Sequence, residues 1–269
     1  MTSPEPEPEP RVAFVTGAAR GIGAATVREL RRRGYLVTAV DACDTGPDLG
    51  YPLASRADLA AVAALDPEAV LPLVCDVRSP EQLAAAVAAT IERFGRVDAV
   101  VAAAGVIGGG RALWETSETE LRELLEVNAI GVWNTAAATV PVMLTGPDPA
   151  GCRFVAVASA AGERGLFHLS AYGASKHAVI GIVRGLSADL AGTGVTAVAV
   201  SPGATRTAML TATAALYDDV DDPADLAAHQ HLHRMLEPEE IAATLAHCCS
   251  VEAAALNGSV VRAEGGFAS

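Results

Sequence analysis

Hydrophobic positions along the chain follow two alternating periods. Short apolar, β-branched runs at residues 11–16, 35–40, 70–74, 97–102, 154–159, 195–200 and 259–263 read as strands. Between them, apolar residues recur every three or four positions at 24–33, 57–65, 80–94, 114–144 and 239–249, and on a stretch that carries Tyr172 and Lys176 and runs to 190. Those stretches read as helices. Strands apolar on both faces belong in a parallel sheet covered by helices, so the pattern predicts an α/β fold in one domain, residues 11–269.

Three segments depart from this rhythm. Residues 3–10 alternate proline with glutamate and predict a disordered tail over 1–10. Residues 42–65 make a connection too long and too rich in turn residues for a plain strand-to-strand crossover, and read as an insertion. Residues 205–235, with the acidic run 217–223, read as a lid over a substrate.

Composition narrows the function. Half the residues are hydrophobic and 4% are aromatic, which suits helices on a parallel sheet better than a β-sandwich. A net charge of −13 opposes nucleic-acid binding and leaves a small molecule as the expected partner. The five cysteines have no C-x-x-C spacing and read as core residues in a reducing compartment. No apolar run approaches the ~18 residues of a membrane span and residues 1–10 do not resemble a signal peptide, so the expected location is cytoplasmic. His229, His231 and His233 alternate in the lid segment. On a helix only His229 and His233 would share a face, with no third ligand evident, so a polar lid helix is expected and no metal site.

The candidate chemistry lies at the ends of the strands. Thr16, Gly17, Arg20, Gly21 and Gly23 join the first strand to a helix, a turn whose backbone N–H groups and helix dipole can meet a pyrophosphate. Asp41 ends the second strand, at the distance expected of a carboxylate that bonds the adenosine ribose. That carboxylate would repel the 2′-phosphate of NADP, whereas Arg20 could attract it; the balance favours NAD. Asp76, after the third strand, could bond the adenine amine or cap a helix. Small residues Ala103, Ala104 and Gly105 after the fourth strand allow a nucleotide close to the backbone. Ser159 ends the fifth strand, and Tyr172 and Lys176 share a helix face, where an ammonium would lower the phenol pKa from about 10. Pro202, Gly203, Thr205 and Thr207 form a further loop on the carboxyl edge of the sheet. Leu166, Phe167 and His168 and the lid are expected to shape the substrate pocket, with Leu210, Leu216 and Leu226 suiting an apolar alcohol.

These motifs, in this order from residue 11 to 267, resemble the short-chain dehydrogenase/reductase family. The resemblance implies a single Rossmann-type, doubly wound parallel sheet flanked by helices. It implies that Tyr172 exchanges the hydroxyl proton, Lys176 lowers its pKa and bonds the nicotinamide ribose, Ser159 orients the substrate oxygen, and Asn128 holds a water linking Lys176 to solvent. Ile22, Cys75 and Val77 join the residues named above as implied cofactor contacts, with Tyr172 and Lys176. Thr205 and Thr207 lie where the family meets the carboxamide and phosphates. A homotetramer is implied by the family alone. One departure is visible: the family's Asn-Ala-Gly is here Ala103, Ala104 and Gly105, which puts a structural hydrogen bond in doubt.

A narrower resemblance, to the mycofactocin-associated branch, is carried by Gly50, Tyr51, Pro52, Leu53 and Ala54, by the 102–107 string and by Ala214, Ala215, Leu216 and Tyr217. It implies NAD that stays bound and is reoxidised in place by an external redox carrier of the mycofactocin type. The leading expectation is therefore an NAD-dependent dehydrogenase oxidising an alcohol to an aldehyde or ketone. Its rivals are a ketoreductase with exchangeable NAD(P)H and a non-catalytic NAD-binding sensor.

Overall fold

The computed structural model describes residues 9–43 and 50–267. The tail expected over 1–10 falls outside these residues except for Glu9 and Pro10, as do residues 44–49 of the expected insertion. Elements alternate along the chain as β1 (Val12–Thr16), α1 (Gly21–Arg32), β2 (Leu36–Asp41), α2 (Arg56–Ala63), β3 (Val70–Val74), α3 (Pro80–Phe94) and β4 (Ala99–Ala102). They continue as α4 (Glu118–Leu125), α5 (Gly131–Leu144), β5 (Arg153–Val157), α6 (Ser170–Asp189), β6 (Thr196–Pro202), α7 (Ala208–Ala214), α8 (Pro238–Cys248) and β7 (Val260–Ala263). All seven strands pair in parallel in the order β3-β2-β1-β4-β5-β6-β7. The order reverses at β1, which pairs with β2 on one side and β4 on the other, so a crevice opens between their carboxyl ends.

Side-chain alternation along the strands divides the core into two layers. Phe14, Val100, Phe154 and Ala197 face the α3, α5 and α6 side, whereas Val15, Val101, Val155 and Val198 face the α1 and α8 side. Each layer is fully buried, which is why these strands read as continuous apolar runs. Local signals set the helix ends. Ser55 and Asp58 form a capping box at the start of α2, Ser79 caps α3 ahead of Pro80, and Gly95 ends α3 in the left-handed region at φ +81°.

The two helices expected over 114–144 are one continuous helix from Glu118 to Leu144, joined by a π turn at Glu126–Ile130. By length and composition it could cross a membrane, but half of its apolar window is buried, and it packs on α3 and α6 as a core helix. The lid is less helical than expected. Only α7 and a short 3-10 turn at Pro223–Ala227 are regular, and His229, His231 and His233 lie on turns and not on a helix, His233 with φ +48°. All five cysteines are buried thiols outside any disulfide.

Candidate active site

The crevice at the switch point is a cleft of about 530 Å³. It is built first from glycine. Gly17 turns out of β1 at φ +64°, and a Cβ there would lie 2.7 Å from the Ala104 backbone. A Cβ on Gly23 would lie 2.0 Å from the Gly17 carbonyl. Only glycine at both positions lets the turn close against β4 and α1. Arg20 is the N-cap of α1 yet makes no side-chain cap bond, and no acidic residue occupies the first turn. The helix N-terminus is thus left to an anion such as a pyrophosphate.

The β4 loop is tied to this turn by the Thr16 hydroxyl, which accepts hydrogen bonds from the N–H groups of Ala103 and Ala104, both at 3.1 Å. On the far side Thr207 caps α7, accepting from the Leu210 N–H at 3.2 Å, and its methyl lies 3.2 Å from where a Cβ on Gly21 would be. Residues nearly two hundred positions apart thereby face each other across the cleft. Ile22, Cys75, Val77, Gly105, Pro202, Gly203 and Thr205 complete that part of its lining.

Asp41 lies at the end of β2, its carboxylate accepting from the N–H groups of Ala19 and Cys43 at 3.1 Å each. Arg20, the residue that argued for NADP, donates instead to the Pro52 carbonyl at 2.8 Å. Asp76 is paired with Arg78, with an Nη2 to Oδ2 distance of 2.5 Å. Burial works against its charge, but the side-chain and backbone bonds from Arg78 outweigh burial and hold the carboxyl below its usual range. It does not cap α3, a task that falls to Ser79.

At the other end of the cleft stand Ser159, Tyr172 and Lys176. Ser159 follows β5 and accepts from the Ala161 N–H at 3.2 Å, and its hydroxyl is near enough to the Tyr172 phenol to favour the charged form. Lys176, 4% exposed, donates from Nζ to the Val157 carbonyl at 3.0 Å and lies 5.9 Å from the Tyr172 ring centroid. Burial pushes the phenol up to about 12 against the opposing influence of Ser159, with Tyr51 adding to the rise. Burial draws Lys176 down to about 8. The lowered phenol pKa expected from the Tyr172 and Lys176 spacing is therefore not a property of the pair alone, because desolvation of both groups dominates.

Asn128 is the one expected catalytic residue that does not line the cleft. It sits fully buried in the π turn behind Gly105. Its Oδ1 accepts from the Val106 N–H at 2.8 Å, and Nδ2 donates to the Val106 carbonyl at 3.0 Å and to Ser175 Oγ at 2.9 Å. Both amide hydrogens are taken by the protein. Ser175 in turn donates to the Tyr172 carbonyl at 2.7 Å, so the amide props α6.

Sequence reasoning missed several lining residues. Tyr51, from the segment 42–65, reaches across the cleft, where its hydroxyl accepts from the Ile107 N–H at 3.0 Å. The expected Leu166, Phe167, Leu210 and Leu226 line the cleft too, joined by Leu169, Met209, His229 and Phe267, which the sequence does not single out as pocket residues. Leu216, expected there, instead packs in the core beside Gly110, and His168 stacks on Phe167 without lining the cleft. A glycine, tyrosine and proline in succession at 50–52 was the available signal for the first of these; for Phe267 there was none. Among the described residues, no three His, Cys, Asp or Glu side chains gather as metal ligands.

Comparison with known proteins agrees with this geometry. The family model described as enoyl-(acyl carrier protein) reductase matches residues 17–268. An uncharacterized NAD-dependent oxidoreductase of Mycobacterium tuberculosis is 38% identical over 204 residues, covering 74% of this chain and 73% of its own. The (-)-trans-carveol dehydrogenase of Rhodococcus erythropolis is 36% identical over 187 residues, covering 68% and 66%. The crystal structure of carveol dehydrogenase from Mycobacterium avium in complex with NAD superposes with a TM-score of 0.89 at 28% identity, covering 96% of this chain and 97% of the other. With its glycine turn, its parallel sheet and its serine, tyrosine and lysine at one cleft, the chain belongs to the short-chain dehydrogenase/reductase family.

Proposed function

We propose that this chain, an NAD-dependent oxidoreductase acting on a CH–OH donor, oxidises an apolar alcohol of the carveol class to the corresponding carbonyl and keeps its NAD bound between turnovers. The observation that carries the reading is one continuous cleft, with Asp41 and the glycine turn at one end and Ser159, Tyr172 and Lys176 at the other, beside an apolar wall.

Tyr172, as phenolate, would take the proton from the substrate oxygen while hydride leaves the carbon that bears that oxygen, and Ser159 would hold the substrate oxygen against the phenol. Bound in the cleft, NAD supplies the hydride acceptor and a positive charge that favours the phenolate. Lys176 adds its own charge when protonated and reaches the nicotinamide ribose. Asn128 is a positioning residue that braces the catalytic helix through Ser175. Gly17, Gly21, Ile22 and Gly23 cradle the pyrophosphate, and Asp41 holds the adenosine ribose. Asp76, Cys75 and Val77 flank the adenine. Ala103, Ala104 and Gly105 with Pro202, Gly203, Thr205 and Thr207 form the walls along the nicotinamide half.

Retention of NAD is supported by two bonds at the rim. Tyr51 closes on Ile107, and Arg20 grips the Pro52 carbonyl, so the segment carrying residues 51 and 52 straps over the cofactor end. A retained cofactor must be reoxidised in place, and an external carrier of the mycofactocin type does this in our reading. Residues 205–235 act as the lid. Exposed Ile130 and Trp133 on the 118–144 helix suit a homotetramer interface.

The test is to purify the protein without added nucleotide, exchange buffer exhaustively, denature it and quantify what is released. Near-stoichiometric NAD is the expected result, with Tyr51→Phe retaining several-fold less because a buried hydrogen bond is worth about 1 kcal/mol. An empty protein that turns over alcohols with free NAD removes the retained-cofactor part alone. Released NADP overturns the assignment of Asp41.

A further inference from the structure

The last described residues fold back onto the lid. His231 N–H donates to the Gly266 carbonyl at 2.7 Å and Leu232 N–H to that of Gly265 at 3.1 Å, while Gln230 pairs antiparallel with Phe267. Gly265 and Gly266, at φ +64° and +72°, allow the sharp return. The result brings the Phe267 ring to the cleft beside His229, with ring centroids 6.0 Å apart and planes 25° from parallel.

A cation from the Ser159 side holds the Phe267 member of this pair. Arg164 lies on the loop that follows Ser159. Its guanidinium sits 4.8 Å from the Phe267 ring centroid, donates from Nη1 to the Phe267 carbonyl at 3.2 Å and from Nη2 to Glu264 Oε1 at 3.3 Å. The fork and the flat face of one side chain thus hold both backbone and ring of the tail, which an ammonium could match only in part.

We propose that Phe267 and His229 form the end wall that sets the size of alcohol this enzyme accepts, and that Arg164 is the positioning residue that keeps the wall in register with Ser159. The inference rests on the alcohol-oxidising reading above. Leu166, Met209, Leu210 and Leu226 line the same cleft as the wall and the catalytic groups, so size and shape contribute to affinity there. A hydrophobic pocket discriminates by roughly 10- to 200-fold per methylene of misfit. A wall whose larger ring, Phe267, is held by one cation is a place where that limit can be moved.

The experiment compares kcat and KM for isopropanol, cyclohexanol and menthol in wild type, Phe267→Ala, Arg164→Ala and Arg164→Lys, with thermal midpoints measured beside them. Phe267→Ala is expected to raise the menthol-to-isopropanol ratio of kcat/KM about tenfold, mainly through a lower KM for menthol. Arg164→Ala is expected to shift the ratio the same way, with Arg164→Lys between it and wild type. A general loss of folding would lower all three alcohols together and leave the ratio where it was. A ratio within twofold of wild type in both alanine variants overturns the proposal. Calorimetric titration of the purified proteins with acetone, cyclohexanone and menthone separates this from the functional reading. If wild type oxidises no alcohol, tighter menthone binding by Phe267→Ala than by wild type still upholds the wall. Equal affinity, or no ketone binding by either protein, refutes it.

Discussion

The two edges of the central sheet are built on opposite principles. At the amino edge, buried charge is answered bond for bond. Arg153, 2% exposed, donates to the carbonyls of Ala150, Cys152, Ser250 and Val251. Arg11 donates to the Tyr35 hydroxyl and to the carbonyl of Cys249, and Asp98 accepts from the Val12 N–H and from Arg96. At the carboxyl edge the polar groups are buried with less compensation. Tyr172 and Lys176 are both displaced from their ordinary pKa values by desolvation, and Gln230 Oε1 and Glu264 Oε2 find no hydrogen-bond partner among the described residues. The first edge staples loops to strands and gains stability; the second holds groups in states that water would not tolerate, which is what chemistry requires.

Two substitutions sharpen the contrast. Tyr172→Phe removes one hydroxyl from the carboxyl edge, and turnover is expected to fall by about 10²- to 10⁴-fold, with the thermal midpoint unchanged or slightly raised. Unchanged turnover would remove Tyr172 from proton transfer. Arg153→Met at the amino edge strands four carbonyls and is expected to cost on the order of 4 kcal/mol, lowering the midpoint by roughly 10 °C. Turnover per folded molecule should stay close to wild type. A large loss of turnover with no loss of stability would break the division between edges.

Legibility in the sequence follows the same division. The core strands were readable because a parallel strand buried on both faces must be apolar throughout: β1, buried along its whole length, lies within its predicted run, and α3 spans the predicted 80–94. The glycine turn and the tyrosine and lysine pair were readable because their spacing is itself the geometry. Relations across the cleft were not. Nothing local to Tyr51 says that its hydroxyl will meet the Ile107 N–H, nor anything near Arg164 that it will hold Phe267. Burial was the other hidden variable: the spacing of Tyr172 and Lys176 suggested a lowered phenol, and desolvation, which depends on every element packed around them, reverses the sign. Ser175 was overlooked for the same reason, since its link to Asn128 exists only once α6 lies against the π turn.

Lys176 offers the smallest effect and the finest probe, because it is a carboxyl-edge group whose charge state should register in stability as well as in chemistry. Burial lowers its pKa from 10.5 in the unfolded chain to about 8 in the fold. Between those values the unfolded chain holds a proton that the native protein has released. Stability contributed by this group is therefore fully present above about pH 10.5 and is lost as the pH falls through about 8. Lys176→Met keeps the apolar stem and has no such slope. The difference in unfolding free energy between wild type and Lys176→Met, measured by urea titration, should move in favour of wild type by about 2 kcal/mol from pH 7.5 to pH 9.5. Cysteines and tyrosines elsewhere titrate in both proteins and cancel in the difference. A flat difference would mean that the ammonium keeps its proton in the fold. The bond to the Val157 carbonyl would then outweigh burial, and the cleft would carry a fixed positive charge beside Tyr172 through the whole neutral range.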